Sequence, residues 1–216
     1  MNNYRVILFY KYINFSEPEI FMQRHLEFCN ANDIKGRIYI GKEGINGTVS
    51  GTAENIGKYK SNLTSYPEFS DMWFKEDKAD KHAFSKMHVR VKNEIVNSGL
   101  NGVSLNNGGK RLKPEELKEF YENGKDFIIV DARNGYESRI GKFKGAVTPS
   151  MKNFREWIDV AEELKEYKDK TVVTYCTGGI RCEKASAYLV EQGFKNVFQL
   201  DGGIVNYVKQ YPDSYW

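Results

Sequence analysis

Residues 171–192 read TVVTYCTGGIRCEKASAYLVEQ, and this stretch decides the fold of the second half of the chain. The apolar, β-branched run Thr171–Tyr175 predicts a strand that is buried on both faces, as in a parallel sheet. The residues from Arg181 to Gln192 predict a helix. Because ligands bind at the carboxyl ends of the strands in such sheets, the loop between this strand and this helix is expected to carry a functional site.

The residue types of that loop favour a reactive cysteine. It reads Cys176-Thr177-Gly178-Gly179-Ile180-Arg181. The adjacent glycines allow the backbone to curl and to turn several N–H groups inward, which makes a concave anion site at the helix N-terminus. A thiol there has a lowered pKa, Arg181 adds a positive charge, and the thiolate is the nucleophilic form. The alternative, that Cys176 is a small buried hydrophobic residue, is common for free cysteines but does not explain the glycines and the arginine.

The rest of the second half alternates helices and strands. Lys113–Leu117 opens a helix with a proline and acids in its first turn. A further helix is marked by apolar residues at helical spacing: Trp157, Val160, Ala161 and Leu164. A buried strand is predicted at Phe127–Val130 and a short strand at Asn196–Leu200. This alternation predicts a parallel-sheet α/β domain over residues 112–216.

The first half predicts a ferredoxin-like α+β sandwich over residues 1–96, because its elements follow the order β-α-β-β-α-β. The predicted strands are Arg5–Tyr12, Arg37–Ile40, Ile45–Ser50 and Met87–Val91. The first helix follows an N-cap at Ser16 and buries a face with Ile20, Phe21, His25, Leu26, Phe28 and Cys29. The second runs from its cap at Thr52 to about Ser65. Residues 97–111, rich in glycine and asparagine, predict a linker that lies against a surface.

Composition limits the function classes only weakly. The 216 residues are 40% hydrophobic and carry a net charge of +3, which argues against a strongly basic nucleic-acid module although a local patch can be hidden in a balanced total. Three cysteines are too few for a disulfide framework and favour a reducing compartment. The chain begins without the pattern of a signal peptide and contains no apolar run of about 18 residues, so the cytoplasm is the expected location.

Several other residues have a functional and a structural interpretation. Cys182 is a candidate for resolving an oxidised Cys176 as a disulfide, but a core position is favoured. Asp131 and Arg133, which follow a strand, are candidates for supporting the loop or binding an anion, and equally for a structural pair. Three histidines are too scattered for a metal site: His25, His82 and His88.

Residues 58–78 form an aromatic and basic stretch. Its members are Lys58, Tyr59, Lys60, Tyr66, Trp73, Phe74, Lys75 and Lys78. Single-stranded bases stack on such aromatic residues while lysines contact phosphates. Interspersed acids weaken that hypothesis, and an ordinary solvated face is favoured.

Four motifs of the second half resemble those of rhodanese domains. Cys176–Arg181 matches their six-residue active loop. The other matches are Asp131-Ala132-Arg133, then Glu137 with Gly141–Ala146, and finally Leu200–Ile204. Many rhodaneses have a histidine where this chain has Lys142. Phosphatases of related fold have one more residue between the cysteine and the arginine, so the shorter loop disfavours phosphatase activity.

A narrower resemblance covers the whole chain. Gly41–Gly51, His88–Val96 and Cys176–Ser186 are similar to segments of the rhodanese-like tRNA uridine hydroxylases. That resemblance implies conversion of the wobble uridine of tRNA to 5-hydroxyuridine with molecular oxygen, with the anticodon loop as partner, Cys176 as essential residue and no metal or organic cofactor. It also implies that family members continue past the position of Trp216.

Two other functions compete with this one. A sulfurtransferase would carry sulfane sulfur on Cys176, and a binding module would use the rhodanese fold only as a surface. The intact loop from Cys176 to Arg181 argues against the binding module, and the Gly41–Gly51 segment argues against a plain sulfurtransferase. A persulfide or sulfenate on Cys176 is a further hypothesis for the hydroxylase.

Overall fold

The computed structural model describes residues 3–100 and 102–216. The chain divides into two compact units, residues 1–96 and 97–216. Met1, Asn2 and Asn101, which the predicted first domain and linker include, lie outside the described residues. In the described part of the chain, no helix combines the length and the apolar character needed to cross a bilayer.

The first unit consists of a five-stranded sheet and two helices. Its elements are β1 (Tyr4–Tyr12), α1 (Pro18–Ala31), β2 (Lys35–Gly41), β3 (Gly44–Thr52), α2 (Ala53–Thr64), β4 (Lys75–Ala79) and β5 (Met87–Val91). The strand order is β4-β1-β3-β2-β5. The first four of these strands pair antiparallel, and β5 pairs with β2 in parallel. The predicted ferredoxin-like sandwich is confirmed, with one strand more than predicted.

The additional strand is β4, which the apolar pattern of the sequence does not predict. It reads Lys-Glu-Asp-Lys-Ala, and its three central residues are exposed. Charged residues are typical of an edge strand, where they prevent pairing with other chains, and they hide the apolar alternation that marks a strand. The fourth strand of the ferredoxin-like order is therefore β4, and the predicted last strand, Met87–Val91, is the fifth.

The helix N-caps and the buried face of α1 agree only in part with the predictions. Thr52 caps α2 as predicted, since its Oγ1 accepts a hydrogen bond from the Asn55 N–H at 3.2 Å. The N-cap of α1 is Glu17 and not Ser16, and no side chain caps that helix. Ile20 is 49% exposed and does not belong to the buried face, because Phe21 takes the core-facing position beside it.

The core of the first unit takes up most of the aromatic residues between 58 and 78. Tyr59 is fully buried, and its hydroxyl lies 2.9 Å from Nε2 of His25. Tyr66 and Phe74 pack against the same core. Trp73 is 56% exposed. The favoured interpretation of this stretch as a solvated face is therefore wrong for three of its four aromatic residues.

The second unit contains a parallel sheet with helices. Its elements are β6 (Lys110–Leu112), α3 (Pro114–Glu122), β7 (Ile128–Asp131), α4 (Gly135–Ser138), α5 (Trp157–Glu163), β8 (Thr171–Tyr175), α6 (Ile180–Glu191), β9 (Asn196–Leu200) and α7 (Gly203–Gln210). The strand order is β6-β9-β8-β7, and all three pairings are parallel. The predicted parallel-sheet α/β fold is confirmed.

The sequence predictions omit β6 and α4, which are too short to show a period. They also omit α7, although its buried Ile204 and Tyr207 are three residues apart, as on one face of a helix. Part of the segment predicted as a linker lies on the second unit. The Gly109 N–H donates to Ser186 Oγ at 2.9 Å, and Gln199 Nε2 donates to the Gly109 carbonyl at 3.0 Å. These bonds fix the entry to β6 against α6 and β9.

The buried His25 predicts that the stability of the first unit depends on pH. Burial lowers the pKa of His25 to about 4, whereas a histidine in an unfolded chain titrates near 6.5. Between these values the unfolded chain binds more protons, so the free energy of unfolding should decrease as pH falls from about 6.5 to about 4, by up to about 3 kcal/mol.

Hydrogen exchange of the β1 and β3 amides at several pH values measures this free energy. The variant H25F/Y59F removes both polar partners and should show a weaker pH dependence. An equal dependence in the variant would contradict the assignment to His25.

Candidate active site

The cysteine loop connects the end of β8 to the start of α6. Cys176 is fully buried, and its Sγ accepts a hydrogen bond from the Gly179 N–H at 3.1 Å. Gly179 has a φ of 104°, in the region that glycine adopts without strain, and directly precedes α6. The sulfur therefore lies at the N-terminus of a helix, in a backbone curl that its glycines permit.

Opposing effects determine the pKa of Cys176. Burial raises this pKa, because a charged sulfur loses its hydration. A hydrogen bond with Cys182, the positive charge of Arg181 and the backbone N–H groups of Gly179 and Arg181 act in the other direction and lower the pKa to about 5. Cys176 is therefore a thiolate at neutral pH, which makes its sulfur a nucleophile.

Cys182 lies in the first turn of α6 and is fully buried. Burial and the hydrogen bond with Cys176 raise the pKa of Cys182 well above its ordinary value, so it is a neutral thiol that donates to the Cys176 sulfur. The described cysteines, Cys29 included, are free thiols. The favoured core position of Cys182 is confirmed, whereas its role in resolving an oxidised Cys176 stays a prediction.

Glu137 of α4 holds Arg181 in place. The Nη1 and Nη2 groups of Arg181 donate to the two carboxylate oxygens of Glu137 at 2.7 and 2.9 Å. The Thr177 hydroxyl donates to Glu137 Oε1 at 2.8 Å and accepts from Arg181 Nη2 at 3.0 Å. Burial would raise the pKa of Glu137, but these hydrogen bonds and the Arg181 charge lower it to about 2. A bidentate pair of this kind fixes the direction of the guanidinium group.

Asp131 and Arg133 support the loop from the end of the neighbouring strand, β7. Asp131 is fully buried and accepts hydrogen bonds from Arg133 Nε at 2.9 Å, from the Ser138 hydroxyl at 2.9 Å and from the Tyr175 hydroxyl at 2.7 Å. Arg133 is also buried, and its Nη2 donates to the Gly141 carbonyl at 2.6 Å. This geometry favours the loop-supporting alternative over the substrate-facing one.

The start of α7 supports the loop from the other side. The Ile204 N–H donates to the Cys176 carbonyl at 2.9 Å, and the Val205 N–H donates to the Thr177 carbonyl at 3.3 Å. Gly203 has a φ of 66°, and a Cβ atom there would lie 2.4 Å from the Cys176 carbonyl oxygen. Only glycine therefore allows α7 to approach the cysteine loop this closely.

The structure brings the predicted site residues together. Thr177–Arg181 belong to the loop around the sulfur, and Asp131 and Arg133 lie at the end of the adjacent strand β7. The sequence predicts no role for Tyr175 or Ser138, because a tyrosine at the end of a strand and a serine in a short helix match no functional motif.

The histidines do not join the site. His25 is buried in the first unit, where it contacts Tyr59, and His82 contacts Ser50 and Asp33. Among residues 3–100 and 102–216, no three His, Cys, Asp or Glu side chains are grouped so that they could hold a metal ion.

Comparisons with known families match both halves of the chain. Residues 4–95 match the UPF0176 acylphosphatase like domain, and residues 113–210 match the rhodanese-like domain. Among solved structures, a rhodanese-like domain protein from Staphylococcus aureus is 24% identical and covers 45% of this chain and 90% of its own, with a TM-score of 0.40.

Curated relatives match almost the whole chain. The tRNA uridine(34) hydroxylase of Staphylococcus haemolyticus is 50% identical over 99% of this chain and 68% of its own length. The protein of the same name from Bacillus velezensis is 51% identical, over 95% of this chain and 65% of the relative. The chain thus spans about two thirds of the length of these relatives.

The thiolate of Cys176 should be directly measurable by its ultraviolet absorbance. One transition is expected near pH 5, because burial raises the pKa of Cys29 to about 12 and Cys182 is raised as well. The transition should disappear in C176S, remain in the control C29S, and move to higher pH in C182A, which lacks the thiol donor. A transition that persists in C176S would contradict the assignment.

Replacing Gly203 should displace the cysteine loop. In G203A the new Cβ would meet the Cys176 and Thr177 carbonyl oxygens, at 2.4 and 2.7 Å. The control G145A also has a positive φ, 73°, but open space around the Cβ, so it should lose only about 1–2 kcal/mol from backbone strain. In urea unfolding, G203A should lose more free energy of unfolding than G145A. It should also raise the pKa of Cys176. Equal losses in both variants would contradict the proposed close approach.

Proposed function

We propose that this chain, which belongs to the tRNA uridine(34) hydroxylase family, converts the wobble uridine of tRNA to 5-hydroxyuridine with Cys176 as its reactive group. The observation that carries the proposal is the thiolate itself, a sulfur with a pKa of about 5 in a loop that is fixed on two sides. Because the chain spans about two thirds of its relatives, the activity of the whole protein is part of the proposal.

The reaction requires a co-substrate and electrons. Replacing the C5–H of uracil by C5–OH with molecular oxygen places one oxygen atom in the product, and two electrons and two protons allow the other to leave as water. We propose oxygen as the co-substrate and no metal or organic cofactor. Cys176 supplies a nucleophilic sulfur, and Arg181 and the loop N–H groups hold its negative charge.

We propose that Cys176 works as a sulfenate or as a persulfide. A sulfenate forms when the thiolate attacks an oxygen-donating oxidant, and a persulfide forms when the thiolate accepts a sulfane sulfur atom from a donor such as a low-molecular-weight persulfide. The Cys182 thiol, which donates a hydrogen bond to the Cys176 sulfur, would then attack a sulfenic acid on Cys176 and form a disulfide with release of water, or attack a persulfide there and release hydrosulfide. Mass spectrometry of the protein during turnover tests these forms. Detection of unmodified Cys176 alone throughout turnover would exclude both.

Transfer RNA is the proposed partner, and the cytoplasm, where tRNA is modified, is the proposed compartment. The decisive experiment expresses the chain in a host that lacks wobble-uridine hydroxylation and measures 5-hydroxyuridine in its tRNA by nucleoside mass spectrometry. We expect the product with the wild-type chain and with C29S, and at least a hundredfold less with C176S, because the nucleophile is lost (~3 kcal/mol or more).

The Staphylococcus haemolyticus relative serves as the positive control in the same host. If the relative forms 5-hydroxyuridine and this chain does not, the remaining third of the relative is fused to this chain. The proposal is contradicted if the fused protein forms no 5-hydroxyuridine either. Thiosulfate-to-cyanide transfer by the purified chain separates the competing function. Rapid sulfur transfer without 5-hydroxyuridine would identify a sulfurtransferase instead.

A further inference from the structure

A basic pocket lies around helix α4 on the second unit. It has a volume of about 650 Å³, within the range of about 300–1,000 Å³ typical of ligand sites. Three cationic side chains line it, together with an aromatic ring and three serine or threonine side chains: Arg139, Lys142, Lys152, Tyr136, Ser138, Thr148 and Ser150. No aspartate or glutamate of the described chain lines this pocket.

The three cations are exposed and carry unmatched charge. Within the described residues, no carboxylate forms an ion pair with Arg139, Lys142 or Lys152. Glu156, the nearest acid in the chain to Lys152, accepts from its backbone N–H and from Asn153. By contrast, three exposed lysines elsewhere in this unit, Lys165, Lys170 and Lys195, each form an ion pair with a carboxylate. Three side chains with unmatched positive charge around one concave surface make a site for an anion with several charged groups.

Helix α4 connects this pocket to the reactive sulfur. Glu137 of α4 binds Thr177 and Arg181 of the cysteine loop. Its two neighbours in the same short helix, Tyr136 and Ser138, line the pocket. A polyanion in the pocket would therefore contact the same short helix that binds Thr177 and Arg181 through Glu137.

Tyr136 indicates which polyanion fits. Its ring is 57% exposed at the pocket. In single-stranded RNA, unstacked bases stack on exposed aromatic rings while Lys and Arg contact the phosphates. An exposed ring beside three unmatched cations thus matches a nucleotide strand better than an isolated phosphate ion, which gains nothing from the ring.

We propose that this pocket binds the phosphodiester backbone of the tRNA anticodon loop next to the uridine, with a neighbouring base on Tyr136 and the phosphates on Arg139, Lys142 and Lys152. This inference rests on the proposed function and adds to it a substrate-positioning site. It also assigns a role to Lys142, which stands where many rhodaneses have a histidine.

The test measures binding of a fluorescent anticodon stem-loop RNA by anisotropy at several salt concentrations. In R139Q/K142Q/K152Q, affinity should fall about tenfold or more, and the slope of log K against log salt should decrease by about 2, since each contact to single-stranded phosphate contributes about 0.7. The matched control K165Q/K170Q/K195Q removes three charges that are already paired with Glu162, Asp126 and Asp169. It should bind as the wild type does.

Tyr136 variants separate stacking from charge. Y136A should weaken binding about fivefold or more, and Y136F should restore it because only the ring is needed. Inorganic phosphate at the same total charge should compete poorly with the RNA for binding. Efficient competition would indicate a simple anion site and would overturn the proposal. Equal weakening in the charge variant and its control would overturn it as well, since that result indicates bulk charge only.

RNA binding and uridine hydroxylation are measured in separate experiments, so the pocket proposal and the proposed function can fail independently. The ultraviolet transition of Cys176 should be unchanged in the pocket variants, which shows that the loop is intact. If the pocket variants lose RNA affinity but the wild-type chain forms no 5-hydroxyuridine, the proposed function fails and the pocket stands. If hydroxylation depends on Cys176 while the pocket variants bind and react normally, the pocket proposal fails alone.

Discussion

The bidentate ion pair between Glu137 and Arg181 is the contact on which the site depends, because it joins the segment after β7 to the loop after β8. Both side chains are largely shielded from water, so either charge without the other would be costly. The carboxylate partly offsets the guanidinium charge that faces Cys176. The loop N–H groups and the Cys182 thiol therefore supply the rest of the stabilisation of the thiolate.

Two buried cysteines show that burial alone does not make a sulfur reactive. Cys29 and Cys176 are both fully buried, yet their pKa values shift in opposite directions, to about 12 and about 5. Desolvation acts alone on Cys29, whereas donors and a cation surround Cys176. The supports at Asp131 and Ile204 keep those donors aimed at the sulfur, so the thiolate is stabilised before any substrate arrives.

Helix α4 gives the second unit two adjacent surfaces with different electrostatic character. At Glu137 the charges are matched, and the result is a rigid loop. At Arg139 and Lys142 the charges are unmatched, and the result is a pocket that attracts anions. The nearly neutral composition of the chain conceals this contrast, because a net charge is a sum over the whole chain and a pocket responds to the few charges nearest to it.

The amino-acid sequence by itself determined the α/β order of the second unit, the ferredoxin-like order of the first and the reactive loop from Cys176 to Arg181. These features depend on consecutive residues, whose backbone preferences and apolar periods can be recognised locally. Only the tertiary structure decided that β4 is a strand, since an exposed charged edge gains its pairing from β1. It also decided which cations are matched: Arg181 meets Glu137 across 44 residues, while Lys142 meets no carboxylate in the described chain. Such pairings depend on distances between distant segments, which folding sets and no local pattern encodes.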